Sequence, residues 1–395
     1  MIMTFEGEME MGTHLGIRGL GIVTGYGWGV APFWDGLLGG KHAASLAEGY
    51  GEGRDRAAWI AAIPPGGDDS DGPSTFGRAM RGAAREAVAD ARARGWREGR
   101  RVGLLHAVVL GEVELWRDFY LRHGGDLASR DYLRLMPSTP MSLLMQEFGF
   151  HGPAMNVSAM CSSGNAGLLT AKAWIDAGIV DDVVFVATDV SATPENVLHF
   201  ERLGVAFSDA EPPEVCRPFQ EGSRGFAMGE ASVAMVLSRE SGGTSYAHVL
   251  GGAMSHDAHH VTSIDPSLTD ITRCFEEAIE NAGVEPSSLR YLNAHGPGTA
   301  QCDRAEAAVF DSLFPSEAEL YSVKPLVGHC QGAASAVEIA ATALGYDRGT
   351  IPAPPAVSAA HPRLLDGPTP VQDGVTVKSS LGMGGHNSVV LLSGT

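Results

Sequence analysis

The residues from Ala154 to Val190 restrict the fold more than any others. AMNVSAM reads as a strand, Cys161 stands at a turn, small residues carry a helix to Gly178, and DVVFVATDV reads as a second strand. Antiparallel neighbours need only a tight turn between them. A strand, a helix and a strand in succession instead build a parallel pair, with the helix covering one face. Upstream lie a strand in RGLGIVTGYG, a helix over Pro32–Leu38 stopped by Gly39 and Gly40, a helix over 76–98 rich in alanine and arginine, and a buried strand in VGLLHAVVL. Residues 115–148 read as mainly helical, interrupted at Pro137 and Pro140.

The turn ESGGTS, starting at Glu240, marks a boundary, after which the plan repeats. YAHVLGGAMS is strand-like, TDITRCFEEAIENAG is an amphipathic helix ending at Gly283, and LRYLNAH is a strand that delivers His295. A helix over Asp303–Phe310, a strand over Ala318–Val323 and a helix over Gly332–Leu344 follow, and VTVKSSLGMGGHNSVVLLS closes as two strands around a glycine turn. The chain is therefore an α/β protein of two similar halves, 17–240 and 241–395, behind a poorly ordered extension at 1–16.

Composition excludes several classes. With 395 residues, 44% of them hydrophobic, there is material for a large core. Five cysteines without CxxC spacing argue against a disulfide framework and for a reducing compartment, here the cytoplasm. No apolar run approaches the roughly 20 residues that span a bilayer. The acidic start MIMTFEGEMEMG is no signal peptide. A net charge of −19 disfavours a nucleic-acid partner.

Three separated segments each set a reactive side chain among glycines: SAMCSSGNAG around Cys161, NAHGPGT around His295 and VKPLVGHCQGAAS around His329. One cysteine and two histidines suit thioester chemistry. A thiolate accepts an acyl group, and imidazoles manage protons and stabilise an oxyanion. Cys161 stands where a strand turns into a helix, and a helix N-terminus lowers a thiol's pKa. Cys216, Cys274, Cys302 and Cys330 are expected to pack as small hydrophobes.

In this order the three segments resemble the β-ketoacyl synthases of the thiolase superfamily, which catalyse decarboxylative Claisen condensation. The resemblance runs from Gly19 to Val390. It implies a thiolase-like fold, with the two α/β halves layered αβαβα. It implies that Cys161 carries the acyl group and that His295 and His329 stabilise the enolate left when a malonyl thioester loses CO₂. Lys324 matches the family lysine, and Asp303 and Glu306 match the acidic pair of its D-x-x-E motif. A link between Lys324 and Glu306 is expected, orienting the histidines. SSLGMGGHN matches the family's F-G-F-G-G-x-N, so the backbone N–H groups of Cys161 and Met383 are expected to form an oxyanion hole. Met160, Thr299, Leu381, Met383 and Gly384 are expected to contact the substrate or its pantetheine arm.

The departures are specific. Met160 stands where the family places alanine, Pro297 replaces a threonine, and Leu381 and Met383 replace two phenylalanines. Gln220, Ser223 and Arg224 replace Asp, Arg and Asp in R-P-F-D-x-x-R-D-G-F, and VVLGEVELW, with Glu112 and Trp116, replaces a glycine-rich segment. The implied partner is an acyl carrier protein, which brings the phosphopantetheine, so no cofactor or metal of the chain's own is implied. Arginines 78, 81, 85, 92, 94, 97, 100 and 101 read equally as its docking surface or as a solvated helix face. A dimer is expected, with a second copy or with a ketosynthase-like subunit. The implied setting is fatty-acid-like or polyketide biosynthesis. Two other readings stay open: an acyltransferase or thioesterase that uses acyl-Cys161 without condensation, and a partner subunit in a heterodimer.

Overall fold

A computed structural model describes residues 15–121, 129–239 and 242–395. Ten strands line up in one sheet in the order Glu319–Tyr321, Leu289–Asn293, Val375–Gly382, His386–Ser393, Ala247–His256, Leu15–Thr24, Ala231–Ser238, Asp182–Asp189, Val102–Ala107 and Ala154–Val157, and the short strand Gly27–Trp28 pairs beside Leu15–Thr24. Numbered by chain order within each half, both sets of five run 3-2-4-5-1. In both, the second strand is parallel to the third and fourth, and the fifth is antiparallel to its neighbours. The first strands of the two halves join them, from Leu15↔Val249 to Ile17↔Ala247.

Alternation along the strands produces the layers. Val183, Phe185 and Ala187 face a central core, while Val184 and Val186 face an outer one. In the second half Val390 and Leu392 face the same central core, and Val389 and Leu391 face a third. Two helices, Ser163–Asp176 and Ala334–Arg348, fill the centre. Thr75–Ala93 covers the outer face of the first half, and Thr269–Ala282 that of the second. The result is the αβαβα arrangement. The outer helix Thr269–Ala282 buries one stripe, Ile271, Cys274, Phe275, Ala278 and Ile279, and ends at Gly283 in the left-handed conformation. The central helix Ala334–Arg348 is buried all round from Ala334 to Gly345, because one half of the sheet lies on each side.

Small residues are a steric requirement here. A Cβ on Gly164 would lie 2.6 Å from the Ala336 backbone nitrogen, and one on Gly167 would lie 2.5 Å from the Phe185 ring. The central helices therefore touch backbone to backbone.

Several elements differ from the sequence reading. The first strand begins at Leu15, so Leu15 and Gly16 belong to the sheet, and the rest of the expected extension lies outside the described residues. Ala231–Ser238, completely buried, and the hairpin Ser45–Tyr50 with Arg56–Ile60 gave no strand signal strong enough to read. The helix expected over 76–98 stops at Ala93, and Gly95 has φ 94°. Pro140 lies in the first turn of Thr139–Phe148 and starts that helix instead of breaking it. The helix expected from Gly332 begins at Ala334, after a 3-10 turn over Gln331–Ala333, and runs to Arg348.

Gly164→Val should force the central helices apart and cost about 3 kcal/mol or more. A denaturant midpoint unchanged from wild type would contradict the close crossing.

Candidate active site

The two central helices start side by side, and the site lies at their N-termini. Cys161 ends the turn that leads from Ala154–Val157 into Ser163–Asp176, and Met160 before it has φ 52°. A non-glycine residue in this region costs free energy, and the turn is held by local bonds. Ser163 Oγ accepts from the Ala159 N–H at 2.8 Å and donates to the Met160 carbonyl at 2.6 Å. Ser162 Oγ donates to the Ser380 and His386 carbonyls at 2.9 and 2.8 Å. Ser380 Oγ donates to the Cys161 carbonyl at 2.9 Å. The nucleophile turn is thus tied to the glycine loop of the second half.

His295 follows the strand Leu289–Asn293, and His329 precedes the turn into Ala334–Arg348. One nitrogen of each ring and the Cys161 sulfur lie within 4.8 Å of one another, and all three residues are buried. The imidazole rings meet edge to face with centroids 5.4 Å apart. Phe226 packs on His329 at 4.6 Å.

Hydrogen bonding fixes both tautomers. Lys324 Nζ lies 3.3 Å from His295 Nδ1 and also bonds the His295 carbonyl and Glu338. An ammonium can only donate, so Nδ1 accepts. The Gln331 backbone N–H donates to His329 Nδ1 at 3.1 Å. In both neutral rings the proton then sits on Nε2. Burial first, and Lys324 second, hold both imidazoles well below the usual histidine range, so both are neutral at pH 7.

Lys324 and Glu306 form no ion pair, and Glu306 acts on Lys324 only as a nearby charge. Lys324 pairs with Glu338, a residue the sequence reading passed over. Glu306 instead accepts from the His295 and Gly296 N–H groups at 2.8 and 2.7 Å and from Ser379 Oγ at 2.6 Å. Asp303 accepts from the Gly298 and Phe219 N–H groups, each at 3.1 Å. Both carboxylates hold the HGPG turn through its backbone. Three donors suit Glu306 there better than one ammonium. Ser223 donates to the Gly298 carbonyl at 2.6 Å and braces the same turn.

The sequence signals that Glu338 is buried, though not which cation it meets. A lone carboxylate in the apolar run ASAVEIAATALG must be buried and must have a cation. The same argument applies to Lys378 in the buried strand Val375–Gly382, whose ammonium lies 2.7 Å from the other Glu338 oxygen.

A cavity of about 410 Å³ opens onto Cys161, His295 and His329. Thr299, Leu381, Met383 and Gly384 line it, as expected of substrate contacts, but Met160 does not. At φ 52° its Cβ packs on the Gly382 side of the turn. Cys302, expected only to pack, lines the cavity as well. All five cysteines are free. The Met383 backbone N–H lies beside the Cys161 sulfur, where it favours the thiolate. Burial nevertheless pushes the Cys161 thiol up to about 11, with Lys324 and the Met383 N–H acting against it. Desolvation here outweighs the helix end that the sequence reading relied on, and the resting group is the thiol.

The arginine-rich helix is largely committed within the subunit. Arg81 and Arg85 both pair with Asp71 and Glu147, Arg92 with Glu98, and Arg94 with Asp347.

Duplicated α/β halves with a cysteine and two histidines at their seam define a thiolase-type acyl-thioester enzyme. The model of the β-ketoacyl synthase N-terminal domain matches residues 74–242, and that of the C-terminal domain matches residues 246–357. The chain is 31% identical to the tetracenomycin polyketide synthase ketoacyl synthase alpha subunit of Streptomyces glaucescens, over 85% of each chain. It is 25% identical to the chloroplastic 3-oxoacyl-[acyl-carrier-protein] synthase I of Arabidopsis thaliana, over 95% of this chain and 86% of that one. The chain belongs to the β-ketoacyl synthase family. Its fold is similar to that of a ketosynthase solved with a hexaketide and its type II polyketide acyl-carrier protein (TM-score 0.86, 23% identity, 97% of this chain and all of that one). It is also similar to a ketosynthase from Xenorhabdus doucetiae solved with its chain length factor (TM-score 0.82, 22% identity, 98% and 100% covered).

With a thiol held near 11, alkylation of Cys161 by iodoacetamide should climb about tenfold per pH unit between pH 6 and 9.5. The neutral histidines should add no inflection near pH 6.5. A rate that levels off below pH 8 would contradict the buried thiol.

Proposed function

We propose that this protein loads an acyl group from a carrier thioester onto Cys161 and condenses it with a decarboxylating malonyl-type thioester, in fatty-acid-like or polyketide biosynthesis. The observation that carries this reading is the pair of buried, neutral imidazoles, each with Nδ1 occupied, beside one cysteine sulfur. Both Nε2–H groups are left as donors. A hydrolase needs a base to activate its water, and neither ring nitrogen is free to act as one, whereas an enolate needs two donors.

In loading, the Cys161 sulfur attacks the incoming thioester carbon. The carbon–sulfur bond to the carrier breaks, and the cysteine proton leaves on the carrier thiol. The Met383 and Cys161 N–H groups face the tetrahedral oxygen. In extension, the bond between the malonyl carbon and its carboxylate breaks and CO₂ departs. The electron pair becomes an enolate, whose oxygen accepts from Nε2–H of His295 and of His329. The enolate carbon then attacks the acyl carbon, and Cys161 leaves as thiolate and takes a proton from water. Lys324 and Gln331 fix the donor geometry, and Glu306 and Asp303 hold the turn that carries His295. The phosphopantetheine arm belongs to an acyl carrier protein and reaches Cys161 past Thr299 and Gly384.

We also propose a dimer, with a second copy or a ketosynthase-like subunit. The strand Ala154–Val157 is an open sheet edge with Met155 exposed, and Leu110, Tyr132, Leu133 and Leu143 expose further apolar surface. An open apolar edge calls for a partner. Pairing there would brace the turn that carries Cys161. No helix among the described residues is long and apolar enough to cross a membrane. The five free cysteines suit the cytoplasm.

Cys161→Ala should abolish the covalent acyl adduct seen by intact mass. His329→Ala should keep measurable acylation of Cys161 but lose CO₂ release from a malonyl carrier, by about a hundredfold or more, because one enolate donor is gone. Decarboxylation at the wild-type rate in His329→Ala would remove the proposed role. Light scattering at micromolar concentration should give a dimer mass, or a monomer that dimerises when its partner subunit is added. A fully active monomer would overturn the assembly.

A further inference from the structure

Behind the histidines lie two charges, on Glu338 and Lys378, that the reaction steps above leave unused. The Glu338 carboxylate sits between two ammoniums, with Lys324 on Oε1 and Lys378 on Oε2, the latter at 2.7 Å. Neither lysine side chain nor the carboxylate has measurable contact with solvent beyond 1%. Lys378 also donates to the Asn293 carbonyl at 3.2 Å and to the carbonyl of Ser379. One carboxylate would suffice to compensate Lys324. A second fully buried ammonium is costly to hold and calls for a reason.

We propose that Lys378 is a positioning residue for the condensation step, acting through Glu338 to hold the Lys324 ammonium on His295. The inference rests on the enolate-stabilising reading of His295. Lys324 Nζ must serve three acceptors: Glu338, the His295 carbonyl and His295 Nδ1. The contact to Nδ1, at 3.3 Å, is the longest of them. With Lys378 in place, its ammonium lies 2.7 Å from one Glu338 oxygen as an ion contact without hydrogen-bond alignment, and the carboxylate hydrogen-bonds Lys324 through the other alone. Without Lys378, both oxygens turn to Lys324 and draw it from Nδ1. His295 then loses the donor that fixes its tautomer, and Nε2–H is no longer held for the enolate. The second positive charge also adds to burial and Lys324 in keeping both imidazoles neutral.

The test compares wild type with Lys378→Met in three readouts: acylation of Cys161 by intact mass, CO₂ release from a malonyl carrier, and the ¹⁵N spectrum of labelled histidine. CO₂ release should fall about tenfold or more while acylation changes less than about threefold, because loading does not use the Nε2–H donors. The His295 signals should change from a single Nε2–H tautomer to a mixture. Wild-type CO₂ release with an unchanged tautomer overturns the proposal, as does an equal loss of both steps. Should Lys378→Met not fold, Glu338→Gln is compared with the Glu338→Gln, Lys378→Met double variant. Removing Lys378 should then cost nothing further, since its carboxylate is already gone, and an additional loss of CO₂ release overturns the proposal. If wild type itself releases no CO₂, the condensation reading fails, and the histidine spectrum still decides whether Lys378 holds His295.

Discussion

Two helices cross where the first has no room for even a Cβ at Gly164, and the reactive groups gather at that crossing. Gly164 of one helix faces the backbone of Ala336 in the other. Ser335 Oγ accepts from the Asn165 N–H at 3.0 Å and donates to the Cys161 carbonyl at 3.4 Å, joining the two N-termini directly. Cys161 enters the first helix and His329 the turn before the second. The approach of the helices therefore sets the distance between nucleophile and donor. A larger residue at the crossing would separate them, so the packing of small residues is a condition of the chemistry as well as of stability.

Around this crossing the protein excludes water and compensates with a few buried charges. Desolvation raises the cysteine thiol and lowers both histidines, so the resting site is uncharged at the reacting atoms. The charge lies one layer back, on Lys324, Glu338 and Lys378, and the carboxylates of Glu306 and Asp303 address backbone N–H groups. Donors that need not reorganise, in a dry site, suit an enolate that exists only briefly. Burial also pushes Asp303 up to about 8, which fits a residue used to hold a turn more than to carry charge.

The departures from the family motifs lie mostly around the cavity. Leu381, Met383, Pro297, Ser223 and Arg224 all line it. Ser223 and Gln220 act on loops: Ser223 donates to the Gly298 carbonyl, and Gln220 accepts from the Val357 N–H at 2.7 Å. The cavity lining and the loops beside it thus differ from the family motifs, while the cysteine and both histidines match them.

The sequence by itself determined the α/β alternation, the duplication and the three reactive residues, because periodicity and glycine-flanked turns are local signals. It did not yield the strand Ala231–Ser238, nor the pairing of Lys324. The D-x-x-E spacing suggested Glu306 as the partner. Only the tertiary structure decided for Glu338, since a buried ammonium takes whichever carboxylate the packed core brings to it, and that carboxylate arrives on a different helix. The same holds for the cysteine. A helix end is visible in the sequence and favours the thiolate, but the protonation state follows from how deeply the two halves of the sheet and the two central helices bury the sulfur, and that is a property of the assembled layers alone.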